Sequence, residues 1–261
     1  MKRGLFLPPF DDLADARVLA GLAVEAEAAG WDGVFLWDHV LRPEPTRPVA
    51  DPWIAMAAMA MPTERIRLGA MVTPIVRRRP HKLAREIATL DHLSGGRVTV
   101  GLGLGVDTSR ELSAFGEITD LYERGDALDE GMALLRELLS GNEVDHRGTY
   151  FTAEHVRLVP GSVQRPCPPM WMATRSMNRR PLRRAASAEG LFPIEVSPDQ
   201  VAEMLSVIAA ERGTLDGFDV VALGSSGWSE GEWAAVGATW WFGDLQPGAT
   251  AADVRALIAT I

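Results

Sequence analysis

A chain of 261 residues with 47% hydrophobic content suits one barrel-sized domain with a sizeable core. A net charge of −9 argues against nucleic acid as a partner. Cys167 is the only cysteine, so no intrachain disulfide can form, which is consistent with a reducing cytoplasm.

Met1-Lys2-Arg3 followed by Gly-Leu-Phe-Leu briefly mimics a signal peptide, but Pro8, Pro9, Asp11 and Asp12 end the apolar run too soon. The segment reads instead as a first strand. No stretch approaches the ~20 apolar residues of a membrane span. Strand and helix signals then alternate. The first strand, Gly4–Leu7, precedes a helix over Ala14–Ala29, and the second, Gly33–Trp37, a helix over Pro52–Ala60. The third, Ile66–Thr73, is apolar on both faces, as a strand covered by helices must be. After it, His81–Leu93 has helical rhythm, with Leu83, Ile87, Leu90 and Leu93 on one side, and Ser94-Gly95-Gly96 stops the helix. The fourth strand is Val98–Leu104, with a helix from about Tyr122 to Leu139. Asn142–Leu158 has turn residues between β-branched and aromatic ones and predicts a small rim hairpin.

Four more units follow: strands over Met170–Ala173, Leu191–Val196, Asp219–Leu223 and Thr239–Phe242, with helices over Arg179–Ala188, Pro198–Arg212, Glu230–Val236 and Ala251–Ile261. Alternation of this kind predicts a parallel sheet, and eight units predict closure into a single (β/α)8 TIM barrel over residues 1–261. An open doubly wound sheet is the other arrangement that such alternation allows.

In such a barrel the active site lies at the C-terminal ends of the strands. The candidates are Pro8–Phe10, Trp37-Asp38-His39, Met71-Val72-Thr73, Gly105-Val106-Asp107, Ala173-Thr174-Arg175-Ser176, Glu195, Gly224–Ser226 and Trp241-Phe242-Gly243. Asp38 and His39 follow an apolar strand directly; a histidine moves protons near neutrality and a neighbouring carboxylate can tune it. Spacing alone favours a turn Asp and a hydrogen-bonded rim His. The glycines of Gly101-Leu102-Gly103-Leu104-Gly105 do not have dinucleotide-loop spacing. They read either as room for a planar ring at the barrel mouth or as small residues packed into a narrow layer. Ala173–Ser176 offers amides, hydroxyls and a guanidinium ahead of a helix, a composition suited to phosphate. Arg77-Arg78-Arg79 and the Arg179, Arg180, Arg183 and Arg184 cluster read as solvated surface. Adjacent strand residues face opposite ways, so one of Trp240 and Trp241 faces the barrel interior and the other the helices.

TERIRLG, then R-x-P, LAREIATLD, LSGGR and GLGLG, with AEAAGWDGVFLWDHV upstream and RPCPPMWMA and AASAEGLFP downstream, resembles the luciferase-like monooxygenase superfamily. The match is strong through about residue 200. The resemblance implies a flavin-type oxidoreductase, most simply one using the deazaflavin coenzyme F-420 for hydride transfer to or from a small organic substrate. It also implies an FMN-dependent monooxygenase fed by a flavin reductase as the alternative, and a homodimer. It makes His39, with Asp38, the catalytic pair beside the cofactor ring. It places cofactor contacts at Asp38, His39, Met71, Val72, Thr73, Gly105, Val106, Asp107, Ala173, Thr174, Arg175 and Ser176. Relatives have a non-prolyl cis peptide at this strand end, which the match puts at Ala70-Met71 or Met71-Val72. Where relatives have a glutamate after the fourth strand, this chain has Val106-Asp107 and then Glu111, and the glycine pair of the fifth-strand segment is missing. A non-catalytic flavin-binding protein is the alternative those departures leave open.

Other barrel chemistries fit poorly. His39, His81, His92, His146 and His155 are scattered and form no metal-binding motif. Of the two lysines, Lys2 precedes the first strand and Lys82 lies on an outer helix, so neither suits a Schiff base.

Overall fold

The computed structural model describes residues 1–42 and 47–261. Among them the chain runs through β1 (Lys2–Leu7), α1 (Ala16–Ala29), β2 (Gly33–Leu36), α2 (Pro52–Ala60), β3 (Arg67–Pro74), α3 (Pro80–Ser94), β4 (Val98–Gly103) and α4 (Leu121–Ser140). The hairpin β5 (Glu143–Arg147) and β6 (Thr152–Arg157) follows. Then come β7 (Met170–Thr174), α5 (Arg179–Ala186), β8 (Gly190–Pro193), α6 (Pro198–Arg212), β9 (Asp219–Leu223), α7 (Glu230–Ala235), β10 (Trp240–Asp244) and α8 (Ala251–Ile258). The eight strands other than the hairpin pair in parallel and close in the order β1-β10-β9-β8-β7-β4-β3-β2. This is the expected (β/α)8 barrel, with the hairpin as a separate two-stranded sheet between α4 and β7. No helix among the described residues is long and apolar enough to cross a membrane.

The helices follow their sequence signals closely. In α3, Pro80 occupies the first turn, and Gly95 ends the helix at φ +65°, with Gly96 N–H donating to the Asp91 carbonyl at 2.8 Å. The buried stripe differs from the sequence reading at one position. Leu83, Ile87 and Leu90 are buried, but Ser94 completes the stripe and Leu93 is 43% exposed. At 3.6 residues per turn, position 93 falls roughly 80° away from Leu83, whereas position 94 falls within roughly 20° of it. The strand expected at Leu191–Val196 is shorter: β8 stops at Pro193, and Glu195 at φ +57° turns the chain out of the sheet.

Aromatic rings fill the barrel interior. Phe35 stacks on Phe242 at 4.4 Å and on Trp171 at 5.5 Å, and Trp240 closes edge-on against Phe35 at 5.5 Å. Trp240 is the interior member of its pair, and Trp241 packs on the outer, helix-covered core. Rings of this size fit because several strand positions lack side chains. A Cβ on Gly4 would lie 2.7 Å from the Phe242 ring, one on Gly33 2.5 Å from Phe35, and one on Gly190 2.5 Å from Trp171.

The pairing of β3 with β4 slips between Ala70 and Thr73, and the Met71–Val72 peptide within the slip is cis. This is one of the two positions that the resemblance implies. The β4 glycines accommodate the bulge. A Cβ on Gly101 would fall against the Ala70 carbonyl and 2.5 Å from Met71 Sδ, and one on Gly103 would lie 2.7 Å from Val72 Cγ2. At Gly101 and Gly103 the packing reading therefore holds. Gly101→Ala drives a methyl into backbone that cannot retreat, and we expect it to cost at least ~1–3 kcal/mol of stability. Urea unfolding of the variant checks this; an unchanged midpoint would show that the bulge yields freely.

Candidate active site

Four consecutive barrel strands, β2, β3, β4 and β7, bring the expected site residues to one rim. β2 ends at Leu36 and delivers Trp37, Asp38 and His39 to it. The Asp38 side chain is fully buried and accepts from four donor atoms: Thr73 Oγ1 at 2.8 Å, Arg77 Nη2 at 3.1 Å, Arg78 Nη2 at 3.1 Å and Arg78 Nε at 3.3 Å. Arg77 Nη2 also donates to the Asp38 carbonyl at 2.7 Å.

Glu111 reaches the same place from the loop after β4, and its side chain is only 3% exposed. Its Oε1 accepts from Arg77 Nη1 at 2.7 Å, Val40 N–H at 2.6 Å and Leu41 N–H at 3.2 Å. Its Oε2 lies 2.6 Å from His39 Nδ1. An ionised carboxylate can only accept, so Nδ1 carries the proton of this bond and Nε2 is the ring nitrogen left for exchange. Burial pushes the Glu111 carboxyl up. The hydrogen bond and charge of His39, the Arg77 cation and the Val40 amide outweigh it, holding the group below its ordinary value. The His39 ring packs between Phe10, at 5.5 Å, and Trp37, at 5.9 Å. Trp37 Nε1 is buried and has no hydrogen-bond partner among the described residues.

The loop sequence explains how Glu111 arrives there. Gly105 turns out of the barrel at φ +70°, a conformation open to glycine, and Arg124 holds the Leu104 and Gly105 carbonyls at 3.2 and 2.8 Å. Asp107 then accepts from the Leu112 and Ser113 amides at 2.8 and 3.1 Å, folding the loop back so that Glu111 faces β2. Asp107 thus braces the loop, Val106 is exposed, and Glu111 is the carboxylate that touches His39. The sequence named Glu111 but gave no reason to choose it over Asp107, because the choice depends on the loop's path.

The structure joins Asp38 to Thr73 through a hydrogen bond, His39 follows Asp38 in the chain and bonds Glu111, and Met71 and Val72 immediately precede Thr73 on β3. Met71 belongs to the barrel-interior cluster, and Val72 packs against it. On β7, Thr174 Oγ1 accepts from the Ser176 amide at 3.0 Å, and Ser176 Oγ accepts from the Asn178 amide at 3.1 Å. Those hydroxyls close their own turn. Arg175 is exposed and pairs with exposed Glu195 at 3.2 Å, and Ala173 packs against the interior cluster. At Ser225, strand-end geometry is also local: its amide donates to Asp244 at 2.7 Å.

The solvated-loop reading of Arg77-Arg78-Arg79 is corrected. Arg77 is 5% exposed and Arg78 14%, both committed to carboxylates, and only Arg79 is a surface residue. Two buried carboxylates next to the loop demand this. In the α5 cluster, Arg179 and Arg183 pair with Glu211 on α6 at the surface, and Arg180 pairs with Asp129 on α4 at 2.7 Å. Arg184 departs from the solvated reading: it is buried, bonded to Asp129 and to the Gly125 carbonyl at 3.0 Å.

The family described as luciferase-like monooxygenase matches residues 1–242. The uncharacterized protein y4wF of Sinorhizobium fredii is 33% identical over 191 residues, which cover 72% of this chain and 54% of that protein. An F420-dependent glucose-6-phosphate dehydrogenase of Beutenbergia cavernae is 39% identical over 144 residues, 52% of this chain and 41% of the dehydrogenase. The chain therefore matches about half the length of these curated relatives. In fold, an F420-dependent secondary alcohol dehydrogenase, solved with an F420–acetone adduct, aligns with 100% of this chain and 98% of its own at a TM-score of 0.82 and 17% identity.

The lowered Glu111 value fixes the sign of a pH dependence. A carboxyl held below its ordinary 4.5 contributes its full stability above that pH and loses it as the pH falls through the lower folded value. Glu111→Gln leaves Arg77 short of a charge partner in a buried site, and we expect it to cost on the order of 3 kcal/mol near neutrality. Urea unfolding of both proteins across pH should show that gap narrowing below 4.5. A gap undiminished at about pH 3 would contradict the ion-pair account.

Proposed function

The chain belongs to the luciferase-like monooxygenase family, and on that premise we propose that it is a deazaflavin-dependent oxidoreductase. In this reading it transfers hydride between coenzyme F-420 and a small organic substrate. The observation that carries the reading is the His39–Glu111 pair, 2.6 Å apart and buried at the barrel mouth beside the Met71–Val72 bulge.

The residues at the mouth fit such a group. Trp37 Nε1–H is a buried donor without a partner among the described residues, and the His39 ring, its centroid 5.9 Å from that of Trp37, has a second nitrogen to offer. Met71, Val72 and Gly105 would stand against the ring, with Asp38 and Thr73 behind them. Ala173, Thr174, Arg175 and Ser176 would lie along the anionic tail, with the exposed Arg175 guanidinium, now paired with exposed Glu195, as its donor. When bound, the deazaflavin supplies a carbon that accepts or returns hydride.

The protein's own part is proton handling and shelter. His39 Nε2 takes a proton from a substrate hydroxyl or returns one to a carbonyl. Glu111 is anionic in either state and stabilises the imidazolium formed when the ring is loaded. Asp38 anchors the strand end through Thr73, Arg77 and Arg78. Phe10 and Trp37 keep water from the ring. The names of the relatives point to alcohols and sugar phosphates as the substrates to try first. The reading includes a cytoplasmic location and a homodimer.

The family's monooxygenase description favours a second reading, FMN-dependent oxygenation with a partner reductase, and the same residues would serve that ring. An anaerobic assay separates the readings. Bleaching of F-420 absorbance with secondary alcohols or sugar phosphates is the expected result, and His39→Ala should slow it by about 10²–10⁴-fold, far more than the loss of its bond to Glu111 lowers stability. Equal rates in that variant would remove His39 from the relay. Cofactor binding with no turnover on any substrate, with oxygen or without it, would favour a non-catalytic flavin-binding protein.

A further inference from the structure

Arg77 lies on the loop between β3 and α3, away from the two strand ends whose side chains it joins. Its Nη1 donates to Glu111 Oε1 at 2.7 Å, and its Nη2 donates to both the Asp38 carbonyl at 2.7 Å and Asp38 Oδ1 at 3.1 Å. One planar guanidinium therefore fixes the spacing between the loop after β2 and the loop after β4. It also divides the two oxygens of Glu111. Oε1 is saturated by Arg77 and the Val40 and Leu41 amides, so Oε2 is the oxygen left for His39.

We propose that Arg77 is the positioning residue of this site, holding Glu111 so that Oε2 captures His39 Nδ1–H and the imidazole is kept in the single tautomer with Nε2 unprotonated. The inference rests on the reading of His39 as the proton relay, but its geometric content stands apart from turnover. A lysine could not do the same work, because an ammonium is a point charge on a flexible stem and lacks the fork that spans both carboxylates.

The surrounding charges define what removal of Arg77 does. The groups facing the pair are Asp38 at the end of β2, Arg78 beside Arg77, and Asp51 and Glu86, which Arg78 also contacts from α2 and α3. Arg42 reaches Ser109 on the Glu111 loop at 3.3 Å, and that loop itself carries Asp107 and Arg110. Arg78 neutralises Asp38 but does not touch Glu111. Without Arg77, therefore, only the Val40 and Leu41 amides hold Oε1, and Glu111 is free to swing Oε2 away from His39 Nδ1.

The test uses the whole protein without added cofactor. Nitrogen-15 NMR of labelled histidine reads the tautomer of His39, assigned by its loss in His39→Ala. The neutral ring of the wild type should show Nδ1–H alone. Arg77→Met should show mixed tautomers. Arg77→Lys should also give mixed tautomers, and it keeps the test decisive if the Met variant does not fold. Arg78→Met should keep the single tautomer, which separates positioning by Arg77 from general loosening of the site. A single tautomer in folded Arg77→Met or Arg77→Lys, or equal mixing in Arg78→Met, would overturn the proposal. If the tautomer responds as stated while His39→Ala retains full turnover, the positioning claim stands and the catalytic reading fails.

Discussion

Two carboxylates buried at one barrel mouth have to be met by cations, and this requirement organises the site. Asp38 and Glu111 come from different loops and lie almost wholly out of water. An unpaired charge in such a place would be several kcal/mol out of balance, so the loop between β3 and α3 turns two arginines inward. Once Arg77 bridges the carboxylates, the ends of β2, β3 and β4 are tied together. His39 is then held at the rim by a charged partner on one ring nitrogen and by aromatic walls on its faces. The chemistry this permits, a proton taken or returned at Nε2, follows from the ion pairs rather than from the histidine alone.

The barrel supplies the rigid frame that makes those spacings reproducible. Its interior is a stack of aromatic rings rather than the branched aliphatic layers common to the fold, and glycines on facing strands supply the space. The same device recurs where β3 bulges. Gly101 and Gly103 on β4 leave room for Met71 and Val72 to depart from the regular ladder, so the bulge is accommodated by its neighbour strand. Packing in the barrel and placement of the site are thus parts of one arrangement.

The order of elements was legible from the chain because hydrophobic period and Gly or Pro punctuation are local signals. Gly95-Gly96 ended α3 where expected, and the hairpin between α4 and β7 fell within its predicted segment. Asp38, His39 and Thr73 were legible as strand-end residues because a parallel barrel puts every strand's C-terminal end on one face. What depended on tertiary placement was not legible. Three consecutive arginines look like a solvated loop until buried acids are known to lie beside them. Glu111 is indistinguishable by spacing from Asp107 until the Asp107 turn is seen to fold the loop back. Leu93 lost its core position to Ser94 through a modest angular offset on the helix, which an apolar residue at the margin of a stripe hides.

The central claim is that this mouth is built for a deazaflavin. Calorimetric titration of the purified protein with coenzyme F-420 and with FMN, each oxidised and reduced, tests it most directly. The account predicts saturable binding of the deazaflavin in preference to FMN. Failure of a well-folded protein to bind either molecule in either redox state would contradict it.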